Sequence, residues 1–268
     1  MIGAIIGDIA GSRFEFHNHR SKDFTLLAPS CRATDDSVMS LAVAAAILDA
    51  DGDLQKLPAA AVARMQQIGR HYPDCGYGGN FGRWVFSDRP RPYHSYGNGA
   101  AMRVSACGFA ASSHAQALAL ADAVTAVTHD HPEGLRGARA TAAAIWLARS
   151  GASLAQIRAH IAAEYYPLDF TIDGIRAGYR FDESCQNTVP QALEAFLEST
   201  SFEDAIRTAV SLGGDSDTLA AIAGGPAEAF WGVPDALRAQ ALPFLDARLS
   251  GLLAAFEQRY PPQPPQGR

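Results

Sequence analysis

The chain has 268 residues, a mass of 28.4 kDa and a formal net charge of −6. A hydrophobic fraction of 48% is ordinary for a globular protein and excludes disorder of the whole chain. The acidic balance argues against a surface built to hold nucleic-acid phosphates. No apolar run approaches the roughly 20 residues that span a bilayer, and the first residues lack the basic stretch of a signal peptide. We therefore expect no membrane segment and no targeting segment.

The opening segment predicts a helix that carries glycine at every fourth position. Gly3, Gly7 and Gly11 fall on one face of that helix because residues four apart are neighbours on a helix surface. A stripe without side chains favours close packing against another helix. The alternative is that the stripe lies beneath a bound ligand.

Alanine-rich amphipathic windows predict most of the remaining structure. In chain order, they predict helices over residues 37–50, 58–72, 115–128, 133–149, 154–164, 190–198, 202–212, 218–231 and 241–258. Only residues 169–172 favour a strand. The prediction is an all-α fold with about ten to thirteen helices. No linker divides the chain, so we expect one domain over residues 1–260 and a disordered proline-rich tail at 261–268.

The four cysteines are scattered along the chain, and no pair has the spacing of zinc ligands. A chain of this length also needs no disulfides to stabilise its core. We therefore expect reduced thiols and a cytoplasmic location.

Two acidic motifs stand at predicted helix starts. They are Thr34-Asp35-Asp36-Ser37 and Asp215-Ser216-Asp217-Thr218, the second preceded by two glycines. Asp, Ser and Thr are common caps of a helix N-terminus, so capping explains part of each motif. One cap per helix nevertheless leaves a second carboxylate and a hydroxyl in each motif without a role. Asp carboxylates and Thr hydroxyls form the all-oxygen set that divalent cations such as Mg²⁺ prefer. If the two motifs meet, their four carboxylates need cations to remain ionised together.

Other segments give weaker signals. Glu15 follows the opening helix and is either a surface acid or part of a site. The glycine-rich segments 75–81 and 95–99 are either plain turns or loops that present backbone N–H groups to phosphate. His129 and His131 precede Pro132. They are either metal ligands or part of a helix start with Pro132 at its first position.

The chain resembles the ADP-ribosylglycohydrolase family from about Gly3 to Pro234. The motifs that carry the resemblance occur in the family's order. They are Gly7-Asp8-x-x-Gly11-x-x-x-Glu15, Thr34-Asp35-Asp36-Ser37, Gly76-Tyr77-Gly78, Gly97-Asn98-Gly99-Ala100-Ala101-Met102-Arg103, Thr128-His129-x-His131-Pro132, Ser184-Cys185-Gln186-x-x-Val189-Pro190 and Gly213-Gly214-Asp215-Ser216-Asp217-Thr218.

This resemblance implies an orthogonal helical bundle around a central cleft that holds two Mg²⁺ ions, with Mn²⁺ as the alternative. The implied metal ligands are Thr34, Asp35, Asp36, Asp215, Asp217 and Thr218. The implied catalytic residues are Glu15, Asp36 and Asp215. The residues implied to line an ADP-ribose cleft are Tyr77, Gly78, Gly79, Gly97, Asn98, Gly99, Met102 and His131.

The implied activity is hydrolysis of the glycosidic bond at C1″ of ADP-ribose in an ADP-ribosylated protein, at arginine or serine, or in a related conjugate. Nucleic acid is then expected only as a modified substrate, and the protein is expected to be a monomer. The alternatives are a catalytically silent ADP-ribose-binding or structural protein on the same scaffold, and a metal-dependent phosphohydrolase. One departure from the family's pattern is Pro226, which we expect to kink the last acidic motif's helix.

Overall fold

Helices form almost all of the regular structure in the computed structural model, which describes residues 1–262. The α-helices are α1 (Ile2–Gly11), α2 (Asp35–Ala50), α3 (Leu57–Gly69), α4 (Gly79–Phe86), α5 (Gly99–Met102), α6 (Ser105–Ala110), α7 (His114–Thr125), α8 (Pro132–Arg149), α9 (Leu154–Glu164), α10 (Ile172–Arg176), α11 (Cys185–Leu197), α12 (Phe202–Val210), α13 (Ser216–Trp231), α14 (Asp235–Ala241) and α15 (Ala247–Arg259). A short 3₁₀ helix, Leu242–Phe244, follows α14. The described residues contain no strand, and the all-α prediction is confirmed.

The centre of the molecule is the packing of α1 against α13. Every residue of α1 is buried. A Cβ added at Gly7 would lie 2.1 Å from the carbonyl oxygen of Ala220, and one at Gly11 would lie 2.5 Å from the Cα of Asp217. Only glycine permits this approach, because real Cβ atoms do not come so near to backbone atoms. The glycine stripe therefore serves close helix packing, and this packing brings the end of α1 beside Asp217.

The two acidic motifs form the N-termini of α2 and α13. Thr34 is the N-cap of α2, and its hydroxyl accepts a hydrogen bond from the Asp36 amide at 3.4 Å. Gly213 and Gly214 both have φ above +70°, which side chains disfavour, and they turn the chain so that Asp215 starts α13. The macrodipoles of both helices favour carboxylates at these ends.

Short helices are the main addition to the predicted elements. The helices that sequence periodicity did not predict are α4, α5, α6, α10 and α14, all of eight residues or fewer. Fewer than about two turns do not repeat an apolar pattern, so sequence periodicity cannot reveal them.

Two local predictions are corrected. The strand predicted at 169–172 is wrong, because Ile172 begins α10 and the Thr171 hydroxyl caps that helix at the Gly174 amide. The helix predicted from Pro190 begins at Cys185, so Pro190 lies inside α11. Pro226 lies inside α13, which continues to Trp231, and the expected kink stays a prediction.

One hydrophobic core includes residues from Met1 to Phe256. All four cysteines are free thiols, as predicted.

Within residues 1–262, no helix combines the length and the apolar character needed to cross a membrane. The part of the predicted tail at 263–268 lies outside the described residues.

Candidate active site

The two acidic motifs meet the end of α1 in a cluster of carboxylates. Asp8, Asp36 and Asp217 are buried, and each offers one carboxylate oxygen within 4.8 Å of the others. Glu15, Asp215 and Asp217 form a second group that meets the same limit. Asp217 belongs to both groups and so connects them. This arrangement brings together residues that are about 180 positions apart in the sequence, as the acidic motifs predicted.

One oxygen in this cluster lacks a partner. The Thr218 hydroxyl donates to Oδ2 of Asp36 at 3.2 Å, whereas the buried Oδ1 of Asp36 has no hydrogen-bond partner among the described residues. A buried carboxylate oxygen without a partner is costly and needs a cation or a donor to satisfy it. The donor set of carboxylates and hydroxyls is the one that Mg²⁺ or Mn²⁺ prefers. The residues present therefore fit a divalent-cation site.

Asp8 organises the first acidic motif and is the residue that our sequence analysis missed as part of the site. Its Oδ1 accepts from the Thr34 hydroxyl at 2.6 Å. Its Oδ2 accepts from the backbone amides of Thr34 at 2.9 Å and Ser37 at 3.1 Å, and also from the Ser37 hydroxyl. Three of these four bonds reach Oδ2 and one reaches Oδ1, so only Oδ1 keeps a free acceptor position. Asp8 therefore positions the loop that carries Asp35 and Asp36 and has little capacity left to bind a metal itself.

Burial and mutual repulsion shift the pKa values of the cluster upward. Burial, followed by the charges of neighbouring carboxylates, raises the pKa of Asp35 to about 8 and the pKa of Glu15 to about 7. The same causes raise the pKa values of Asp36 and Asp217 well above their usual range. Burial also raises the pKa of Asp215. Without cations, burial and mutual repulsion favour the protonated forms of these acids, and bound cations would favour their ionised forms.

An elongated cleft extends from the acidic cluster. Its inner part has a volume of about 230 Å³ and includes Glu15, Asp36 and Asp217 in its wall. An outer cavity of about 580 Å³ continues from it. The residues that border both parts are Asn80, Tyr93, Ser95, Gly97 and Glu183. A cleft of this form can hold an extended ligand with one end at the carboxylates.

The wall of the cleft is tied to the second acidic motif. The backbone amide of Asn98 donates to the Glu183 carbonyl oxygen at 2.6 Å, where residues 97 and 184 form an isolated β-bridge. The Asn98 side-chain amide donates to Oδ2 of Asp215 at 2.6 Å. Asn98 therefore fixes the orientation of the Asp215 carboxylate and joins the glycine-rich loop to the acidic cluster.

A family model described as ADP-ribosylglycohydrolase matches residues 1–262. The chain belongs to the ADP-ribosylglycohydrolase family. A solved structure described as "ADP-ribosylglycohydrolase-related protein complex" has 24% sequence identity and a TM-score of 0.70, with 97% of this chain and 95% of that chain covered. This likeness shows the fold. The comparison with curated proteins found no match.

Most of the residues that the resemblance assigns to the site border the cleft of this ADP-ribosylglycohydrolase family member. They are Glu15, Asp35, Asp36, Gly78, Gly79, Gly97, Asn98, Gly99, Met102, Asp215, Asp217 and Thr218. Thr34 lies beneath this surface, where its hydroxyl donates to Asp8.

Two assigned residues lie apart from the cleft wall. The Tyr77 hydroxyl donates to the Gly69 carbonyl oxygen at 3.1 Å, and Tyr77 does not border the cleft. The Nδ1 atom of His131 accepts from the Glu133 amide at 3.0 Å and caps α8, with Pro132 at the first helical position. The helix-start interpretation of the histidine motif is therefore the one that the structure supports for His131.

Sequence reasoning missed several residues of the cleft besides Asp8. Phe81, Tyr93, Arg103, His129 and Glu183 all border its inner part. Arg103 and His129 lie inside motifs that carry the family resemblance, and this position in the sequence could have identified both as site residues. Nothing in the sequence distinguishes Glu183 from a surface acid. In the structure, burial and the charge of Asp215 raise its pKa.

Proposed function

We propose that this chain is a divalent-cation-dependent hydrolase that cleaves the glycosidic bond at C1″ of ADP-ribose in an ADP-ribosylated arginine or serine of a protein, or in a related conjugate, and releases ADP-ribose. The observation that carries the proposal is the buried carboxylate cluster with an unsatisfied Asp36 oxygen at the inner end of an elongated cleft. Membership of a glycohydrolase family supports the same reaction class.

Thr34, Asp35, Asp36, Asp215, Asp217 and Thr218 would hold two Mg²⁺ ions, or Mn²⁺ in their place. Bound divalent cations lower the pKa of water and polarise the hydroxyls of a bound sugar. Asp217 belongs to both carboxylate groups, which suits a ligand shared by two cations. The Thr34 hydroxyl donates its proton to Asp8 and accepts from the Asp36 amide, which leaves one oxygen lone pair available as a ligand.

The residues around the cluster supply proton transfer and orientation. Glu15 is half-buried and has a pKa of about 7, so it can hold or release a proton at neutral pH. It can assist the leaving group or deprotonate the attacking water. Asp215 is held in place by Asn98, and Asp36 offers a free oxygen, so both can orient that water. Carboxylates at this site would also stabilise the positive charge of an oxocarbenium-like transition state.

The test is a panel of peptides that carry ADP-ribose on arginine or on serine, and ADP-ribosylated nucleic acid, each incubated with Mg²⁺ and with EDTA. Mass spectrometry should detect free ADP-ribose and the unmodified acceptor for at least one linkage, and EDTA should abolish the reaction. Release of phosphate or AMP would instead indicate a phosphohydrolase. Calorimetric binding of ADP-ribose without hydrolysis of any substrate would indicate a silent binding protein.

A further inference from the structure

Arg103 is a buried cation without a counter-ion. It caps the C-terminus of α5, borders the inner cleft and has no exposed surface. In the part of the chain that the structure describes, no carboxylate pairs with it. Its Nε and Nη1 atoms are buried and have no hydrogen-bond partner among residues 1–262. Such a group is expensive to bury, so its presence beneath a ligand cleft calls for a role there.

The one close polar contact of Arg103 begins a directed chain of hydrogen bonds. Its Nη2 atom lies 2.6 Å from Oγ1 of Thr128, and that oxygen lies 2.7 Å from Nδ1 of His129. A guanidinium only donates, so the Thr128 oxygen accepts from it. The Thr128 proton has two acceptors within reach, Nδ1 of His129 at 2.7 Å and the Thr125 carbonyl oxygen at 3.4 Å, and the shorter distance favours donation to Nδ1. Nη2 also lies 3.4 Å from Nδ1, and a proton on Nδ1 would face the guanidinium protons. Nδ1 is therefore the acceptor.

The opposite ring atom of His129 faces the ligand cleft. Because Nδ1 accepts, the proton of the neutral ring is on Nε2. A Cβ added at Gly99 would lie 3.4 Å from this Nε2, and one at Gly97 would lie 3.6 Å from it. Burial, followed by the charge of Arg103, lowers the pKa of His129 well below its usual range, so the ring stays neutral. His129 thus presents an N–H group beside the glycine-rich loop.

We propose that Arg103 is a positioning residue that acts through Thr128 to hold His129 in the tautomer whose Nε2–H donates to an anionic oxygen of the ligand at residues 97–99. The inference rests on the proposed function, since it takes the ligand to be the ADP-ribose part of the substrate, whose pyrophosphate supplies anionic oxygens. Arg103 contacts the Phe81 ring, with its Cζ 5.5 Å from the ring centroid, and pairs with no carboxylate among residues 1–262. Its charge attracts the same anion from beneath the cleft.

Stability and binding should respond to Arg103→Met in different directions. Methionine fills the space of the aliphatic part of the arginine side chain and removes an unpaired buried charge, so the melting temperature should stay the same or rise. Loss of the chain to His129 should weaken ADP-ribose binding by about ten- to a hundredfold. A purely structural role for Arg103 predicts the reverse, with a lower melting temperature and unchanged affinity.

The matched control is Arg139→Met. Arg139 forms a two-bond ion pair with Asp122, at 2.6 and 2.8 Å, and does not border the cleft. This variant should melt at a lower temperature and bind ADP-ribose with unchanged affinity, in calorimetric titrations with Mg²⁺ present. Unchanged ADP-ribose affinity in Arg103→Met would overturn the proposal.

Thr128 provides a second route if Arg103→Met does not fold. Thr128→Val removes only the hydroxyl that connects Arg103 to His129 and should weaken ADP-ribose binding at least tenfold, as an order of magnitude for a lost charge-assisted hydrogen bond. Thr128→Ser keeps the hydroxyl and should bind as the unchanged protein does. Equal affinities in the Val and Ser variants would contradict the proposal.

The tautomer of His129 can be measured without an activity assay and without a bound ligand. Nitrogen NMR of protein labelled in histidine should show a pyridine-type Nδ1 and a pyrrole-type Nε2 for His129, with the signal assigned by its loss in His129→Gln. A pyrrole-type Nδ1 would overturn the proposal even if ADP-ribose is hydrolysed. If no ADP-ribosylated substrate is cleaved, titration with inorganic pyrophosphate still tests the anion site in the same variants. Failure of the proposed activity and failure of the inference about Arg103 are therefore distinguishable.

Discussion

Two groups of residues around the inner part of the cleft, here called the acidic end and the cationic end, differ in the sign of the charge that has no partner of opposite charge. At the acidic end, five acidic side chains converge and Oδ1 of Asp36 has no partner among the described residues. At the end beneath the glycine-rich loop, Arg103 is buried without a carboxylate, and His129 is neutral. Each end is costly by itself. Under the proposed function, cations would compensate the charge of the acidic end and anionic oxygens of the ligand would compensate the charge of the cationic end.

The largest expected effect comes from Asp217→Asn, which removes charge from both carboxylate groups while it preserves shape. Binding of Mn²⁺ should be lost, and turnover of an ADP-ribosylated substrate should fall by more than about a hundredfold, because a direct ligand matters more than the residues that support ligands. Calorimetry with Mn²⁺ and a mass-spectrometric assay measure the two effects.

Asp53→Asn is the matched control for Asp217→Asn. Asp53 is an exposed acid that pairs with Lys56 on the surface at 3.3 Å. Its substitution should leave Mn²⁺ binding and turnover unchanged. Wild-type turnover in Asp217→Asn would contradict the account of the acidic end.

A smaller effect is expected from Asp8→Asn. The amide cannot accept all four donors that converge on Asp8, so the loop before α2 should lose its fixed position. Metal affinity should fall by about ten- to a hundredfold. The free energy of unfolding should fall by about 1–3 kcal/mol. Calorimetry and urea unfolding test both, and an unchanged Mn²⁺ affinity would show that Asp8 does not position the metal ligands.

Stability should depend more strongly on pH without divalent cations than with them. The folded protein holds protons on Asp35 up to about pH 8 and on Glu15 up to about pH 7, whereas the unfolded chain releases them near 3.8 and 4.5. In EDTA the folded state therefore binds more protons, and stability is lost as the pH rises from about 4 to about 8. Mg²⁺ should reduce this loss. Melting temperatures across that range measure it, and a rise with pH in EDTA would contradict it.

The smallest expected effect concerns the cationic end. In Gly99→Ala, the new methyl group would lie at ordinary contact distance from Nε2 of His129, so the fold should tolerate it. The methyl group would shield this N–H group and weaken ADP-ribose binding by less than about tenfold. Gly82→Ala in α4 is the control, because its methyl group meets only Tyr77 at 3.6 Å. If Gly99→Ala binds ADP-ribose as tightly as Gly82→Ala does, Nε2 of His129 is not the donor.

Features of the fold and the site that depend on short stretches of sequence were predicted correctly. Asp and Thr at helix starts, and a glycine stripe at helical spacing, located the two acidic motifs and the tight packing of α1. The role of Asp8 was not predictable in this way, because it depends on a contact between α1 and the loop before α2. Arg103 was missed because a lone arginine near a helix end usually lies at the surface. His131 was favoured over His129 because burial cannot be read from two histidines two positions apart.

A crystal structure with Mn²⁺ and ADP-ribose would test the two-ended cleft most directly. The account predicts anomalous density for manganese at Asp36 and Asp217, the distal ribose at that end, and a pyrophosphate oxygen within hydrogen-bond distance of Nε2 of His129. Manganese elsewhere, or a ligand whose anionic oxygens lie away from His129 and the loop at residues 97–99, would contradict it.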